Sequence, residues 1–263
     1  MTSNSTSLPQ LDASEPITGL WAELKRILEA LDSRALSLRL TGSMAVQMRC
    51  PRFGHLARRN RVFHDIDFAA YKREARPVQE FLVALGYVED REVAVVSEGN
   101  RSIFQYGAGP IHIDIFYDKL DFCHVIPLEG RLQADAPTLP LAELLLSKLQ
   151  IVKINEKDLV DAIVLLLEHG IGEADQSGIN IAAIARLCGQ DWGLWRTVNI
   201  NLDKIGRLAS LYGELDTAQK ALLDSRLKQI SARLEAEDKP LAWRLRSRLG
   251  DRVKWYKDVE DID

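Results

Sequence analysis

Two hexapeptides constrain this chain more than any other part of it: Phe63-His64-Asp65-Ile66-Asp67-Phe68 and Ile111-His112-Ile113-Asp114-Ile115-Phe116. In each, apolar residues fall on alternate positions, which is the period of a β-strand with a buried face. Each also carries aspartate, a residue depleted in strands and seldom buried without a partner. Asp65 and Asp67 are two residues apart, so their side chains leave the same face, roughly 6–7 Å apart at Cα. Asp114 shares a face with His112 and Phe116, while Ile111, Ile113 and Ile115 take the other. If the two strands are neighbours, three carboxylates converge. Anions held together repel one another, and a cation relieves the repulsion. Hard divalent ions such as Mg²⁺ prefer oxygen ligands, and a pair of them can clamp a reacting phosphate. An Asp-x-Asp pair can equally be a surface feature of an edge strand. The third acid, and the segment that precedes the first strand, favour the metal.

That segment starts with Leu36, Leu38 and Leu40 alternating with Ser37, Arg39 and Thr41, a strand that ends in Gly42-Ser43. Residues 44–48 then read as a helix start. A strand turning through Gly-Ser into a helix presents backbone N–H groups at a helix N-terminus, where an anion can sit. The simpler alternative is a Ser43 cap behind a Gly bend. Residues 49–61 carry five arginines, Arg49, Arg52, Arg58, Arg59 and Arg61, with Pro51, Gly54 and His55 among them, and read as a basic loop. The loop leads directly into Asp65, so its far end must lie near the acids, where a triphosphate or nucleic acid could meet it.

The remaining pattern bounds the fold. Apolar residues at helical spacing predict a first helix over 16–31, and a second runs over 76–85 and stops at Gly86. Strands are predicted over 93–96, 102–106, 111–117 and 125–128, with turns at 98–100 and 107–110. Beyond Pro137, Leu139 and Pro140 the chain reads as helical: 141–154, 157–168, 179–187, 194–212, 217–236 and 241–256. The expected organisation is a flexible arm over 1–15, a mixed α/β core over 16–134 and a helical C-terminal domain over 135–263. Cys50, Cys123 and Cys188 form neither a zinc pattern nor a disulfide framework, and no apolar run is long enough for a membrane span, so a reducing cytoplasm is expected. A net charge of −4 argues against a broad basic nucleic-acid surface, though not against a local patch.

Leu40-Thr41-Gly42-Ser43, then His64-Asp65-Ile66-Asp67-Phe68, then Asp114 resembles the nucleotidyltransferase superfamily that includes DNA polymerase β. Pro140, Lys148, Lys153 and Lys157-Asp158-Leu159-Val160-Asp161 resemble the Lys…Lys-Asp-x-x-Asp helical motif of AbiEii-type nucleotidyltransferases, several of which are toxins of toxin–antitoxin pairs. Twenty-one residues separate Ser43 from Asp65, more than the superfamily usually has, and no residue after Gly170 belongs to a recognisable motif. The resemblance implies a minimal nucleotidyltransferase mixed sheet with helices, followed by a helical domain that closes one side of a cleft. It implies an enzyme moving NMP from a nucleoside triphosphate to a hydroxyl, with two Mg²⁺ ions for which Mn²⁺ can substitute. Asp65 and Asp67 would hold both ions. Asp114 would hold the second and accept the proton of the attacking hydroxyl. Gly42 and Ser43 would grip the β/γ phosphates, and Lys148 would neutralise their charge. Asp158 and Asp161, three apart on one helical face, would join the nucleotide site, or Asp158 would merely favour the positive end of a helix capped by Asn155.

Acceptors in such families include tRNA ends, proteins and aminoglycoside-like small molecules. The arginine run tilts the expectation toward tRNA, with an antitoxin protein as partner. An antibiotic-modifying enzyme would want an acidic acceptor cleft, which the tail acids Glu235, Glu237, Asp238, Asp258, Glu260, Asp261 and Asp263 permit. A third reading is a non-catalytic member that binds nucleotide or a protein partner; the presence of all three strand acids argues against it.

Overall fold

The computed structural model describes residues 17–59, 61–106 and 111–258. The expected arm over 1–15, the turn at 107–110 and the tail acids Glu260, Asp261 and Asp263 lie outside the described residues. Helix α1 (Ile17–Leu31) buries Leu20, Leu24, Ile27 and Leu31, the stripe its 3.6-residue period predicts. The main sheet consists of β1 (Arg39–Thr41), β2 (Asp65–Ala70), β3 (Tyr87–Asp90), β4 (Arg101–Tyr106) and β5 (His112–Tyr117), in the order β1-β2-β5-β4-β3. Strands β2 and β5 lie side by side and parallel at its centre, with Asp67 opposite Asp114. Strand β1 runs antiparallel to β2 and places Thr41 opposite Asp67. Ile66, Phe68, Ile113 and Ile115 fill the opposite face and are wholly buried. The pleat therefore gives one face of the central pair to the core and sends its acids to the other.

Between β1 and β2 the chain forms α2 (Gly42–Arg49) and α3 (Gly54–Arg58), so the arginine-rich stretch is partly helical, where a loop was expected. Helix α4 (Ala75–Ala84) leads into β3. The stretch 93–96, expected as a strand, lies in helix α5 (Arg91–Val96). Asp90 decides this by accepting hydrogen bonds from the backbone amides of Glu92 and Val93. Val95 and Val96 are exposed, so their β-branched pattern meets no buried face that would hold it in a strand. The strand that completes this edge is the unanticipated β3, whose Tyr87 is buried and pairs with Tyr106.

A small hairpin, β6 (Lys119–Asp121) and β7 (Val125–Pro127), follows the sheet. The helical region comprises α6 (Leu141–Leu149), α7 (Glu156–Glu168), α8 (Ile181–Gln190), α9 (Trp192–Leu211), α10 (Thr217–Ala236) and α11 (Leu241–Leu249), with a two-residue pair β8 (Ile171–Gly172) and β9 (Ile179–Asn180) before α8. The observed class is thus the expected one, a mixed sheet with helices followed by a helical C-terminal region. Helix α10 opens on a reciprocal cap between Asp216 and Gln219 and buries Leu223, Leu227, Ile230 and Leu234. Helix α6 is shorter than expected. Its end is fixed by Asn201 of α9, whose side-chain amide donates to the carbonyls of Leu149 and Ile151 at 2.9 and 2.8 Å. Helix α11 stops at Gly250, which takes the left-handed φ of 55° that favours glycine, and Trp255 returns to donate to Thr197. Among the described residues no helix is long and apolar enough to cross a membrane.

The buried side chains form one apolar cluster running from Leu20 through the sheet to Leu234. The backbone also bridges the expected boundary, since Leu40 exchanges hydrogen bonds with Pro137 and Leu139 and so covers the free edge of β1. Replacing Phe68 by alanine removes a wholly buried ring from the central strand. The expected cost is about 3–5 kcal/mol, read as a lower midpoint in urea unfolding.

Candidate active site

The acids open into a cleft of about 310 Å³. It is lined by Thr41, Gly42, Asp65, Asp67, Arg101, Asp114, Phe116, Leu120, Phe122, Ser147, Lys148, Ile151 and Asp158. Asp65, Asp67, Asp114, Gly42, Lys148 and Asp158 were all singled out from the sequence. The register explains their meeting, because Thr41 and Asp114 flank Asp67 on its two neighbouring strands. The long insertion does not displace the Gly-Ser turn. Gly42 has φ +65°, and a Cβ there would collide with the Asp67 carboxylate, so only glycine lets the turn pass so close to the acid.

Electrostatics differ sharply among the three strand acids. Asp65 is exposed at the mouth. Burial raises Asp67 to about 7, and Asp114 and Asp65 add to the rise while Lys148 and Arg101 oppose it. Burial also raises Asp114 above the usual carboxylate range, against the pull of Arg101. Arg101 donates from Nε to both Asp114 oxygens at 2.9 and 3.0 Å and from Nη2 to Oδ2. The three acids are therefore not equivalent, and among the described residues no three acids stand together as a ready metal cage.

The oxygen donors left over are Asp65, Asp67 and the Thr41 hydroxyl, which is buried with no hydrogen-bond partner among the described residues. Two carboxylates and an orphaned hydroxyl form a hard, anionic donor set that fits a divalent cation such as Mg²⁺.

At the other end of the cleft lies a buried polar cluster. Asp161 on α7 is wholly buried and does not line the cleft. Its Oδ1 accepts from Arg61 at 2.9 Å, and its Oδ2 lies 2.9 Å from Ser43 Oγ and 3.0 Å from Lys148 Nζ. Arg61 also donates to Ser43 Oγ. Lys148 reaches Asp158 at 2.7 Å. Burial alone would depress the Lys148 ammonium, but Asp161 and Asp158 outweigh it and hold its pKa above the ordinary lysine value. Asp158 sits in the first turn of the helix that Asn155 caps, as expected, and also lines the cleft. Its amide donates to the Asn155 cap, and its carboxylate holds Lys148. Ser43 does not cap α2 through its side chain, because its hydroxyl is drawn to Asp161 instead.

The arginine run has a different use from the one its charge suggested. Arg49 pairs with Asp135, Arg52 with Glu168, Arg59 with Glu214 and Arg61 with Asp161. These pairs tie the insertion to the rest of the chain and neutralise most of its charge, so the observation that favoured an RNA surface is weakened. Sequence reading missed Arg101, Thr41 and the apolar wall of Phe116, Leu120, Phe122 and Ile151. Arg101 was detectable as the cation that opens the strand hairpinned to that of Asp114. The apolar wall had no local signal, since its residues come from a strand, a hairpin and a helix end.

Two changes test these electrostatics. Asp161→Ala leaves Arg61 and Lys148 buried without their shared anion, and the expected cost is about 3–5 kcal/mol in urea unfolding. For Asp67, the folded state keeps its proton up to about pH 7, while the unfolded chain loses it near 3.8. Its contribution is fully present below pH 3.8 and is lost as pH rises to about 7, up to an order-of-magnitude limit of about 4 kcal/mol. Asp67→Asn should therefore raise stability at pH 8 more than at pH 5, measured as the shift in urea midpoint without divalent ions.

No protein-family model matches the chain, and no curated protein matches it. Among solved structures it is similar to the antibiotic-resistance factor ANT(2'')-Ia, whose solution structure shows substrate-regulated conformation dynamics. The identity is 15%, the TM-score 0.37, and the match covers 56% of this chain and 82% of that one.

Proposed function

We propose that the chain is a divalent-metal-dependent nucleotidyltransferase that moves NMP from a nucleoside triphosphate to a hydroxyl. The observation that carries this is the cleft, where Asp65 and Asp67 form no ion pair with any of the described residues and stand beside the glycine turn, with Lys148 at the same opening. Asp65, Asp67 and the Thr41 hydroxyl would hold the ion, Mg²⁺ or Mn²⁺, which when bound screens the triphosphate and polarises its α-phosphoryl group. Gly42 lines the cleft at the start of α2, where its amide would meet a phosphate, and Lys148 would add a positive charge. Ser43 is not among the lining residues and would act only through its contacts with Asp161 and Lys148. Phe116 and Phe122, edge-to-face at 5.2 Å, offer an apolar wall for the base.

In the transfer, the hydroxyl oxygen bonds to the α-phosphorus, the bond from that phosphorus to the bridging oxygen breaks, and pyrophosphate leaves. The hydroxyl proton passes to Asp114, whose burial makes it more basic than a free carboxylate. The remaining contribution is positioning and charge neutralisation, which dominate such reactions. Asp161 acts from beneath the cleft, holding Ser43 and Lys148 in place.

The acceptor is a hydroxyl of tRNA, as in a toxin held by an antitoxin, or of a small cationic molecule such as an aminoglycoside. The pairing of the arginines weakens the first, and the acidic mouth at Asp65 suits the second.

Mn²⁺ together with a non-hydrolysable triphosphate should raise the melting temperature through linkage to the folded state, and Asp67→Asn should abolish the rise. A full rise in the variant would remove Asp67 from the site. Labelled NMP should pass from one of the four triphosphates to total tRNA or to an aminoglycoside, and the labelled product names the acceptor class. No transfer to either would favour a binding protein without this activity.

A further inference from the structure

Arg101 occupies the place where a second ion was expected. Asp114 is 8% exposed, and both of its oxygens are taken by one guanidinium. The arginine is itself fixed. Its backbone amide donates to Ser97 Oγ at 3.2 Å, the same hydroxyl donates to its carbonyl at 2.8 Å, and its guanidinium lies over the Phe116 ring at 5.4 Å. Strand pairing places it opposite Phe116, two residues along from the partner of Asp114. An arginine stays protonated at any working pH, so this charge is permanent.

The charges around the cleft sort themselves accordingly. Its acids are Asp65, Asp67, Asp114 and Asp158, and its cations are Arg101 and Lys148. Arg101 pairs with Asp114 and Lys148 with Asp158, which leaves the two carboxyl groups of Asp65 and Asp67 for one divalent ion. Arg101 Nη1 makes no hydrogen bond to Asp114, and no other partner for it occurs among the described residues. It can meet a phosphate oxygen while Nε and Nη2 hold the acid.

We infer that the cleft binds a single divalent ion, at Asp65 and Asp67, because Arg101 occupies the carboxylate of Asp114 that a second ion would need. This rests on the nucleotidyl-transfer reading of the same cleft. Asp114 is thereby kept out of the ion's ligand set and left to receive the proton. Arg101 on this view fixes the metal count of the enzyme by holding Asp114.

The test is the number of Mn²⁺ ions bound per chain, from the electron paramagnetic resonance signal of free Mn²⁺ as the ion alone is titrated into the protein. The wild-type chain should bind one ion, and Asp67→Asn none. Arg101→Gln releases Asp114 beside Asp67 and should bind two, returning to one when Asp114→Asn is added. Arg101→Lys keeps the charge, should bind one, and guards against a folding defect in the glutamine variant. Two ions in the wild-type chain, or one in a folded Arg101→Gln, would overturn the inference and leave the site at Asp65 and Asp67 standing. No ion in the wild-type chain would overturn the reading of the cleft itself.

Discussion

A single buried carboxylate gathers the parts of this molecule that matter. Asp161 has no exposure to solvent, and a charge so placed is tolerated only with close partners. It finds them on three other segments: Arg61 from the end of the insertion, Ser43 from the first turn of α2, and Lys148 from α6. These residues lie as much as 118 positions apart in the chain. Their meeting point fixes where the Gly-Ser turn stands against β2, and so where the cleft has its wall. The helical region therefore holds the turn from behind, and α9 holds α6 in turn through Asn201.

The cleft itself is a balance between repulsion and burial. Parallel pairing of β2 with β5 forces Asp67 and Asp114 opposite each other, a separation at which two carboxylates disfavour each other's ionisation. The chain answers this on one side with Arg101 and leaves the other side unanswered. The unanswered pair, Asp65 and Asp67, is where a cation gains most from binding, and Asp67 is raised first by burial and then by the neighbouring Asp114. Stability is given up there: a carboxylate held near pH 7 costs the folded state at neutral pH, as functional sites commonly do.

The basic insertion shows how far composition can mislead. Five arginines in thirteen residues, in a chain that is acidic overall, suggest a surface for phosphates. Four of them end on carboxylates from distant helices and loops, Glu168, Glu214, Asp135 and Asp161. An arginine fork bonded to a carboxylate offers little field to a passing polyanion. Only the fold reveals the pairing, because each acid lies at least 86 residues further along the chain than its arginine.

Local patterns determined a good deal by themselves. Period-2 alternation located β2, β4 and β5, helical spacing located α1, α4, α7, α9 and α10, and the placement of Asp65, Asp67 and Asp114 on one side of their strands followed from the pleat alone. Those features depend on residues within one turn or one strand, which the sequence lists in order. The period-2 reading failed where a nearby cap competed, since the valines of α5 lost to Asp90, and the helix end of α6 was set by a long-range contact, where Asn201 takes its carbonyls. Register, charge pairing and enclosure were decided by the tertiary structure. It alone brought Arg101 onto Asp114, Lys148 onto Asp158 and Asp161, and the apolar wall beside the acids. The physical reason is that Coulomb and packing energies depend on distance in space, and distance along the chain says little about it once the sheet and helices have closed on one core.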